Sequence, residues 1–313
     1  MGKVALLFPG QGSQYVGMGR TLADAYPAAR LIFETADQVL GFPISRLCLD
    51  EGSEEELKLT ENTQPALLTV SIAAFTVLRE VGIRPDYVAG HSLGEYSALV
   101  AAGSLRFTDA LRLVRKRGGY MQEAVPAGQG AMAALLRLPA GRLDEILEKA
   151  AQGEIVTAAN LNAPDQVVIA GHTGAVNRAI ELAKAAGARR AVLLPVSAPF
   201  HCPLMKPAQQ RMAPELAGTA FDDLDWPLIN NWQAREVRTA AEARLGLIEQ
   251  IPNTVRWEES IRYLAAQGVN RFFEVGPGGV LNGLLRSIDP ALQGFRFGEA
   301  SDVDKLNVAA ASN

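Results

Sequence analysis

Val4-Ala5-Leu6-Leu7-Phe8 is an unbroken apolar run stopped by Pro9-Gly10. A strand with one wet face alternates polar and apolar positions. A run with no polar position suits a strand covered on both faces, as in a parallel sheet between helical layers. The residues downstream keep to that scheme. A helical pattern covers 21–40, and a second helix is predicted over 63–81, where Thr63 can cap, Pro65 falls in the first turn and Gly82 stops it. Asp86-Tyr87-Val88-Ala89-Gly90 then reads as a strand and 93–102 as a helix. This alternation predicts an α/β fold with a mostly parallel sheet.

The middle of the chain has another rhythm. Strands are predicted over 131–138, 155–159, 166–170 and 189–195, with helices over 140–151 and 174–186. The order β-α-β-β-α-β is that of a ferredoxin-like unit. A small subdomain over 128–198 is therefore expected inside a discontinuous large domain made of 1–127 and 199–313. The large domain is expected to end on a strand over 271–275 and the turn Gly276-Pro277-Gly278-Gly279.

With 313 residues, 48% of them hydrophobic and 20% charged, the chain can bury a sizeable core without disulfides or metals. A net charge of -4 argues against bulk nucleic-acid binding, which calls for a basic footprint. The two cysteines, Cys48 and Cys202, are far apart and fit a reducing compartment. The apolar run near the N-terminus is too short for a signal peptide or a membrane span, so a soluble cytoplasmic protein is expected.

Gly90-His91-Ser92-Leu93-Gly94 matches G-x-S-x-G between a predicted strand and a predicted helix. That context exposes a serine hydroxyl on a sharp turn, with flanking glycines that remove the side chains that would crowd it and helix N–H groups facing developing negative charge. A nucleophilic serine needs a base, and the chain has three histidines. His91 adjoins the serine on a turn where neighbouring side chains diverge. His172 follows a small-subdomain strand, where a solvated loop histidine is the plain reading. His201, in Pro199-Phe200-His201-Cys202 where the chain re-enters the large domain, is the favoured base. Cys202 reads as packing.

Arg117 interrupts an apolar helical stripe of Ala110, Leu113, Val114 and Met121, while Arg112, Arg115 and Lys116 fall on the opposite, solvated face. A guanidinium in that stripe needs an anionic partner, and two readings are open: a structural ion pair, or a bidentate clamp for a substrate carboxylate. The loop Gly10-Gln11-Gly12-Ser13-Gln14-Tyr15 lacks the third glycine of a dinucleotide fingerprint. No P-loop appears, and no His or Cys spacing suits a metal.

Taken together, Phe8-Pro9-Gly10-Gln11-Gly12-Ser13-Gln14, Gly90-His91-Ser92-Leu93-Gly94-Glu95-Tyr96, Arg117, Pro199-Phe200-His201, the stretch 250–257 and Glu274-Val275-Gly276-Pro277-Gly278 resemble the malonyl-CoA:acyl-carrier-protein transacylases of type II fatty acid synthesis. They also resemble the acyltransferase domains of polyketide synthases. The resemblance implies an α/β-hydrolase-like core with an inserted ferredoxin-like subdomain, and transfer of malonyl from malonyl-CoA to a transiently bound acyl carrier protein. It makes Ser92 the nucleophile and His201 its base. Gln250 becomes the residue whose backbone carbonyl orients His201, and Gln11 and Leu93 become the oxyanion-hole donors. Arg117 becomes the clamp on the malonyl carboxylate. Asn160 and Asn162 are expected to line the site. Phe200 is expected to leave little room for an α-methyl branch, although one methyl discriminates by only about 1–3 kcal/mol, so methylmalonyl-CoA stays open as a substrate. Neither cofactor nor metal is implied, and a monomer working without nucleic acid or membrane is expected. Arg115 and Lys116 are candidates for a basic rim facing the acidic carrier. The rival readings are a serine thioesterase or esterase on the same turn, and a binding module that has lost turnover.

Overall fold

The computed structural model describes residues 2–49, 54–196 and 198–305. The strands are β1 (Lys3–Phe8), β2 (Tyr87–Gly90), β3 (Gly130–Leu136), β4 (Val156–Ala163), β5 (Gln166–His172), β6 (Arg190–Leu193), β7 (Leu228–Ile229), β8 (Glu236–Val237), β9 (Val269–Val275) and β10 (Gln293–Phe297). They form a six-stranded sheet in the order β10-β9-β1-β2-β7-β8 and a four-stranded sheet in the order β4-β5-β3-β6. Every pairing in the larger sheet is parallel except β7 with β8. Every pairing in the smaller sheet is antiparallel.

β1 lies inside the larger sheet, and its apolar run is buried on both faces, as expected. Leu6 and Phe8 join the core that holds helix Thr60–Glu80. Ala5 and Leu7 face the opposite way, against Trp257, Ile261, Leu281 and Leu285 of helices Trp257–Ala266 and Val280–Ile288. The two faces follow from the alternation of side chains along a strand. At the end of β9 the buried carboxylate of Glu274 accepts from the backbone N–H groups of Leu281 and Asn282, at 2.9 and 2.8 Å, and so caps helix Val280–Ile288.

The smaller sheet is also two-faced. Ala133, Leu135 and Ile169 pack against helices Leu143–Ala151 and Thr173–Ala185. Met132, Ala134 and Val168 turn the other way and line a cavity against the larger sheet. The smaller sheet is also bonded through its backbone to the segment between helices Ala240–Glu249 and Trp257–Ala266. Leu161 N–H donates to the Val255 carbonyl and Val255 N–H to the Ala159 carbonyl, each at 2.9 Å.

Several elements depart from the sequence expectations. The helical stretch predicted over 21–40 is two helices, Arg20–Ala25 and Pro27–Leu40, because Pro27 has no N–H to continue the first. The helix predicted from residue 63 begins at Thr60, so Thr63 is not its cap: its hydroxyl donates to the Leu57 carbonyl at 2.6 Å. Pro65 is then an interior proline, which would strand the Glu61 carbonyl one turn earlier. Arg115 repairs this by donating to that carbonyl at 2.8 Å. Strands β7, β8 and β10 were not foreseen, and the chain continues past β9 into a helix and an edge strand.

Candidate active site

The site sits where the parallel strands end, the usual place for ligands in an open α/β sheet. Ser92 follows β2, Gln11 follows β1, and Asn231 follows β7. Ser92 has a φ of 53° and so occupies the left-handed region, as a residue on a tight strand-to-helix turn must. The glycines around it are needed for a different reason from the expected relief of crowding at the serine. A Cβ on Gly90 would stand 1.9 Å from the Gly94 backbone, and one on Gly94 would stand 2.0 Å from the Phe8 carbonyl oxygen. They let helix Gly94–Ala101 start directly against the ends of β2 and β1.

Ser92 Oγ lies 2.7 Å from His201 Nε2, and His201 Nδ1 lies 2.9 Å from the Gln250 carbonyl oxygen. A carbonyl only accepts, so Nδ1 carries the proton and the lone pair of Nε2 faces the serine hydroxyl. His201 also has a positive φ, 57°, which turns its ring back toward the elbow. Its imidazole is buried, and that burial, assisted by the Arg117 charge, brings its pKa down to about 3. The ring is therefore neutral, with the Nε2 lone pair free to face the serine hydroxyl.

Arg117 is buried to 1% exposure within its apolar stripe. No ion pair reaches it among the described residues, so the structural-ion-pair reading finds no partner. Its Nη1 donates to Gln64 Oε1 at 2.8 Å, and its Nη2 to Gln250 Oε1 at 2.7 Å and to Ser92 Oγ at 3.2 Å. Its Nε has no partner among the described residues. Burial pulls the guanidinium's pKa down, against the pull of Tyr96 and Glu95. The cation therefore rests on neutral oxygens beside the serine, a poor final state for a buried charge.

A cavity of about 310 Å³ opens over these groups. Gln11, Asn160, Asn162 and Phe200 line it with Ser92, His201 and Arg117. Asn162 Oδ1 meets His91 Nε2 at 2.8 Å, and the His91 ring stands edge-on to Trp257. The backbone N–H groups of Gln11 and Leu93 donate to no described residue, while the Leu93 side chain is buried in the core. His172 stands apart, accepting from Ile155 N–H at 2.9 Å in the smaller sheet. Cys202 is buried, donates to the Pro199 carbonyl at 3.0 Å, and has its thiol pKa pushed up to about 12 by burial. The candidates for a basic rim are otherwise engaged. Arg115 fills the gap left by Pro65, and Lys116 pairs with Glu215 at 2.7 Å. No group of three or more His, Cys, Asp or Glu side chains able to hold a metal occurs among the described residues.

Three residues that the sequence reading did not single out hold the site together. Asn231 Oδ1 accepts from Ser92 N–H and its Nδ2 donates to the Gly90 carbonyl, both at 2.6 Å, pinning the elbow from below. Gln64 carries one side of the Arg117 guanidinium. Glu95, 1% exposed, accepts from Gln250 Nε2 at 2.7 Å and from Asn231 N–H at 3.0 Å. Nothing in the sequence marked them: Gln64 ends the polar run Thr60-Glu61-Asn62-Thr63-Gln64, Glu95 is an acid in the first turn of a helix, and Asn231 lies in a loop.

Residues 5–293 match the acyl transferase domain family. The chain is 49% identical over 305 residues to a malonyl CoA-acyl carrier protein transacylase from Bacillus subtilis (strain 168), covering 97% of this chain and 96% of that protein. It is 48% identical over 302 residues to the protein of that name from Escherichia coli (strain K12), covering 96% and 97%. Among solved structures, the malonyl CoA-acyl carrier protein transacylase of Coxiella burnetii superposes with a TM-score of 0.95 at 42% identity, covering 97% of this chain and 96% of that one. A type II PKS acyl-carrier protein in complex with its malonyl-transacylase gives 0.94 at 45% identity, covering 97% and 98%.

Proposed function

The chain belongs to the acyl transferase family, among its malonyl CoA-acyl carrier protein transacylases, and we propose that it carries malonyl from coenzyme A to acyl carrier protein through an ester on Ser92. The observation that carries this reading is the placement of Arg117 Nη2 3.2 Å from the same Ser92 oxygen that faces His201 Nε2 at 2.7 Å. A nucleophile with a base on one side and an unpaired buried cation on the other suits an acyl group ending in a carboxylate.

In the first half-reaction His201 Nε2 takes the Ser92 proton as Oγ attacks the thioester carbonyl. The resulting oxyanion is held by the N–H groups of Gln11 and Leu93, the latter at the N-terminus of the helix after the elbow. Collapse expels the coenzyme A thiolate, which His201 protonates. In the second half-reaction the phosphopantetheine thiol of the carrier gives its proton to His201 and attacks the malonyl-serine. Ser92 leaves with that proton. Gln250, through its carbonyl, keeps the imidazole in the tautomer both steps need. Asn160 and Asn162 line the acyl chamber, and Phe200 narrows it beside His201.

The same reading places an α/β-hydrolase-like core at 1–127 and 199–313, of which 1, 50–53 and 306–313 lie outside the described residues. It places a ferredoxin-like subdomain at 128–198. The order β4-β5-β3-β6 with two helices on one face supports the subdomain. A monomer is the proposed working unit. Two free, buried cysteines support a reducing, cytoplasmic setting, and among the described residues no helix is long and apolar enough to cross a membrane.

Intact-protein mass spectrometry after mixing with malonyl-CoA tests the reading. A malonyl-sized adduct is expected on the wild type and not on Ser92→Ala. Free malonate without an adduct or malonyl carrier would instead favour a thioesterase.

A further inference from the structure

Gln250 serves the site twice. Its carbonyl faces His201, and its side-chain amide lies between two charged groups. Oε1 accepts from Arg117 Nη2 at 2.7 Å, while Nε2 donates to Glu95 Oε2 at 2.7 Å and to the Ser92 carbonyl at 3.1 Å. A primary amide has a donor end and an acceptor end of nearly the same shape. Turned by half a rotation, it would aim its NH₂ group at the guanidinium, donor against donor, in a space shut off from water.

What fixes the orientation lies on the far side of the amide. Glu95 is 1% exposed, and its carboxylate takes the amide N–H and the Asn231 N–H on one oxygen. Burial raises its pKa to about 7, and those two bonds, with the nearby Arg117 charge, work against the rise. They are bonds to the ionised form, which only accepts. Glu95 does not line the cavity and takes no part in the steps above.

We infer that Glu95 is a positioning residue for the acyl clamp: it locks the Gln250 amide with Oε1 toward Arg117, and so holds the guanidinium beside Ser92 Oγ. The chain of contacts runs Glu95, Gln250 side chain, Arg117, substrate carboxylate. An acyl group without a carboxylate has no use for it. This inference rests on the reading of Arg117 as the malonyl clamp.

The test is the rate of acyl-Ser92 formation from malonyl-CoA and from acetyl-CoA at varied thioester concentration. Glu95→Leu is expected to lower kcat/KM for malonyl-CoA about 10- to 100-fold more than for acetyl-CoA, chiefly through KM, any loss common to both substrates reflecting the missing acceptor for Asn231 N–H. Glu95→Gln keeps a carbonyl acceptor and is expected to stay within about threefold on both substrates. In a Gln250→Leu background, which keeps the backbone carbonyl, Glu95→Leu should add less than about twofold to the malonyl-selective loss. Equal losses on both substrates, no malonyl loss, a Glu95→Gln variant as poor as Glu95→Leu, or full additivity with Gln250→Leu would each overturn the inference. Should Glu95→Leu not fold, Gln250→Leu alone must show the malonyl-selective loss, and its absence has the same force. Arg117→Ala separates the two levels. A malonyl-selective loss there without one in Glu95→Leu sinks the relay alone, and no such loss in Arg117→Ala sinks the clamp beneath it.

Discussion

Replacing Arg117 by alanine should convert a malonyl-selective site into one that barely distinguishes malonyl from acetyl. An incoming carboxylate can take over the Nη2 N–H resting on Ser92 Oγ at 3.2 Å together with a guanidinium N–H that neither Gln64 nor Gln250 engages. A hydrogen bond to a charged group contributes about 1.5–3 kcal/mol, so a two-point contact supports about 3–6 kcal/mol. Water entering the space vacated by the side chain returns part of that, which leaves about 3–4 kcal/mol. At about 1.4 kcal/mol per factor of ten, acyl-serine formation from malonyl-CoA should fall by about two to three orders of magnitude. Acetyl-CoA makes no such contact, so its rate should change by less than about threefold. Rapid quench with intact-mass detection of the Ser92 ester gives both numbers from one preparation. Arg117→Lys should fall between, since a single ammonium cannot serve Gln64, Gln250 and the substrate together. Equal losses for malonyl and acetyl would show that Arg117 supports the elbow rather than the acyl group, and would refute the reasoning.

Asn231→Ala removes two 2.6 Å bonds from the elbow and should slow acylation by malonyl-CoA and acetyl-CoA alike, by about 10- to 100-fold in the same quench assay. Gly94→Ala would push a methyl to 2.0 Å from the Phe8 carbonyl oxygen, so a loss of more than about 3 kcal/mol in urea unfolding is expected. Gly119 lies inside helix Phe107–Glu123 with nothing within 4 Å of an added Cβ, and Gly119→Ala should stabilise by about 0.5–1 kcal/mol in the same titration. The folded His201 pKa of about 3 lies below the unfolded value, so the unfolded chain takes up the proton first as pH falls. Its burial therefore leaves stability untouched above pH ~6.5 and erodes it progressively from there toward pH 3. Unfolding free energies from urea titrations between pH 4 and 7 should slope less in His201→Gln than in wild type, by up to about 1.4 kcal/mol per pH unit, and parallel slopes would contradict the assignment.

Ser92, and the His201 and Arg117 that the structure brings within hydrogen-bond reach of it, stand out in the sequence because each breaks a local rule. Ser92 sits between glycines at a strand-to-helix junction, His201 among prolines, and Arg117 in an apolar stripe. Strand β1 was equally plain, since only a strand covered on both faces tolerates its composition. What could not be read was whatever depends on long-range pairing. Strands β7 and β8 are too short to carry a period, and β10 (Gln-Gly-Phe-Arg-Phe) is an edge strand whose exposed positions look like a loop. Asn231 is an ordinary loop asparagine until β7 sets it under the elbow, and Glu95 looks like any acid in a helix's first turn until its burial is known. Arg115 was assigned to a solvated face because its helix periodicity says so, while its partner is a carbonyl freed by a proline on another helix.

The pairing of Val255 with Ala159 and Leu161 bears on how such an enzyme can be re-engineered. The stretch 128–198, proposed above as a subdomain, has its two ends close together, Gly130 lying against Pro199, and so invites exchange as a cassette to alter acyl preference. Yet β4 is stitched to the segment that begins at Gln250, whose carbonyl faces His201 Nδ1. Thr254 adds a third stitch through its hydroxyl to the Ala158 carbonyl. A graft that shifts this strand's register would drag the Gln250 carbonyl away from His201, so a transplanted unit must bring residues 250–256 along or reproduce the ladder at 158–161.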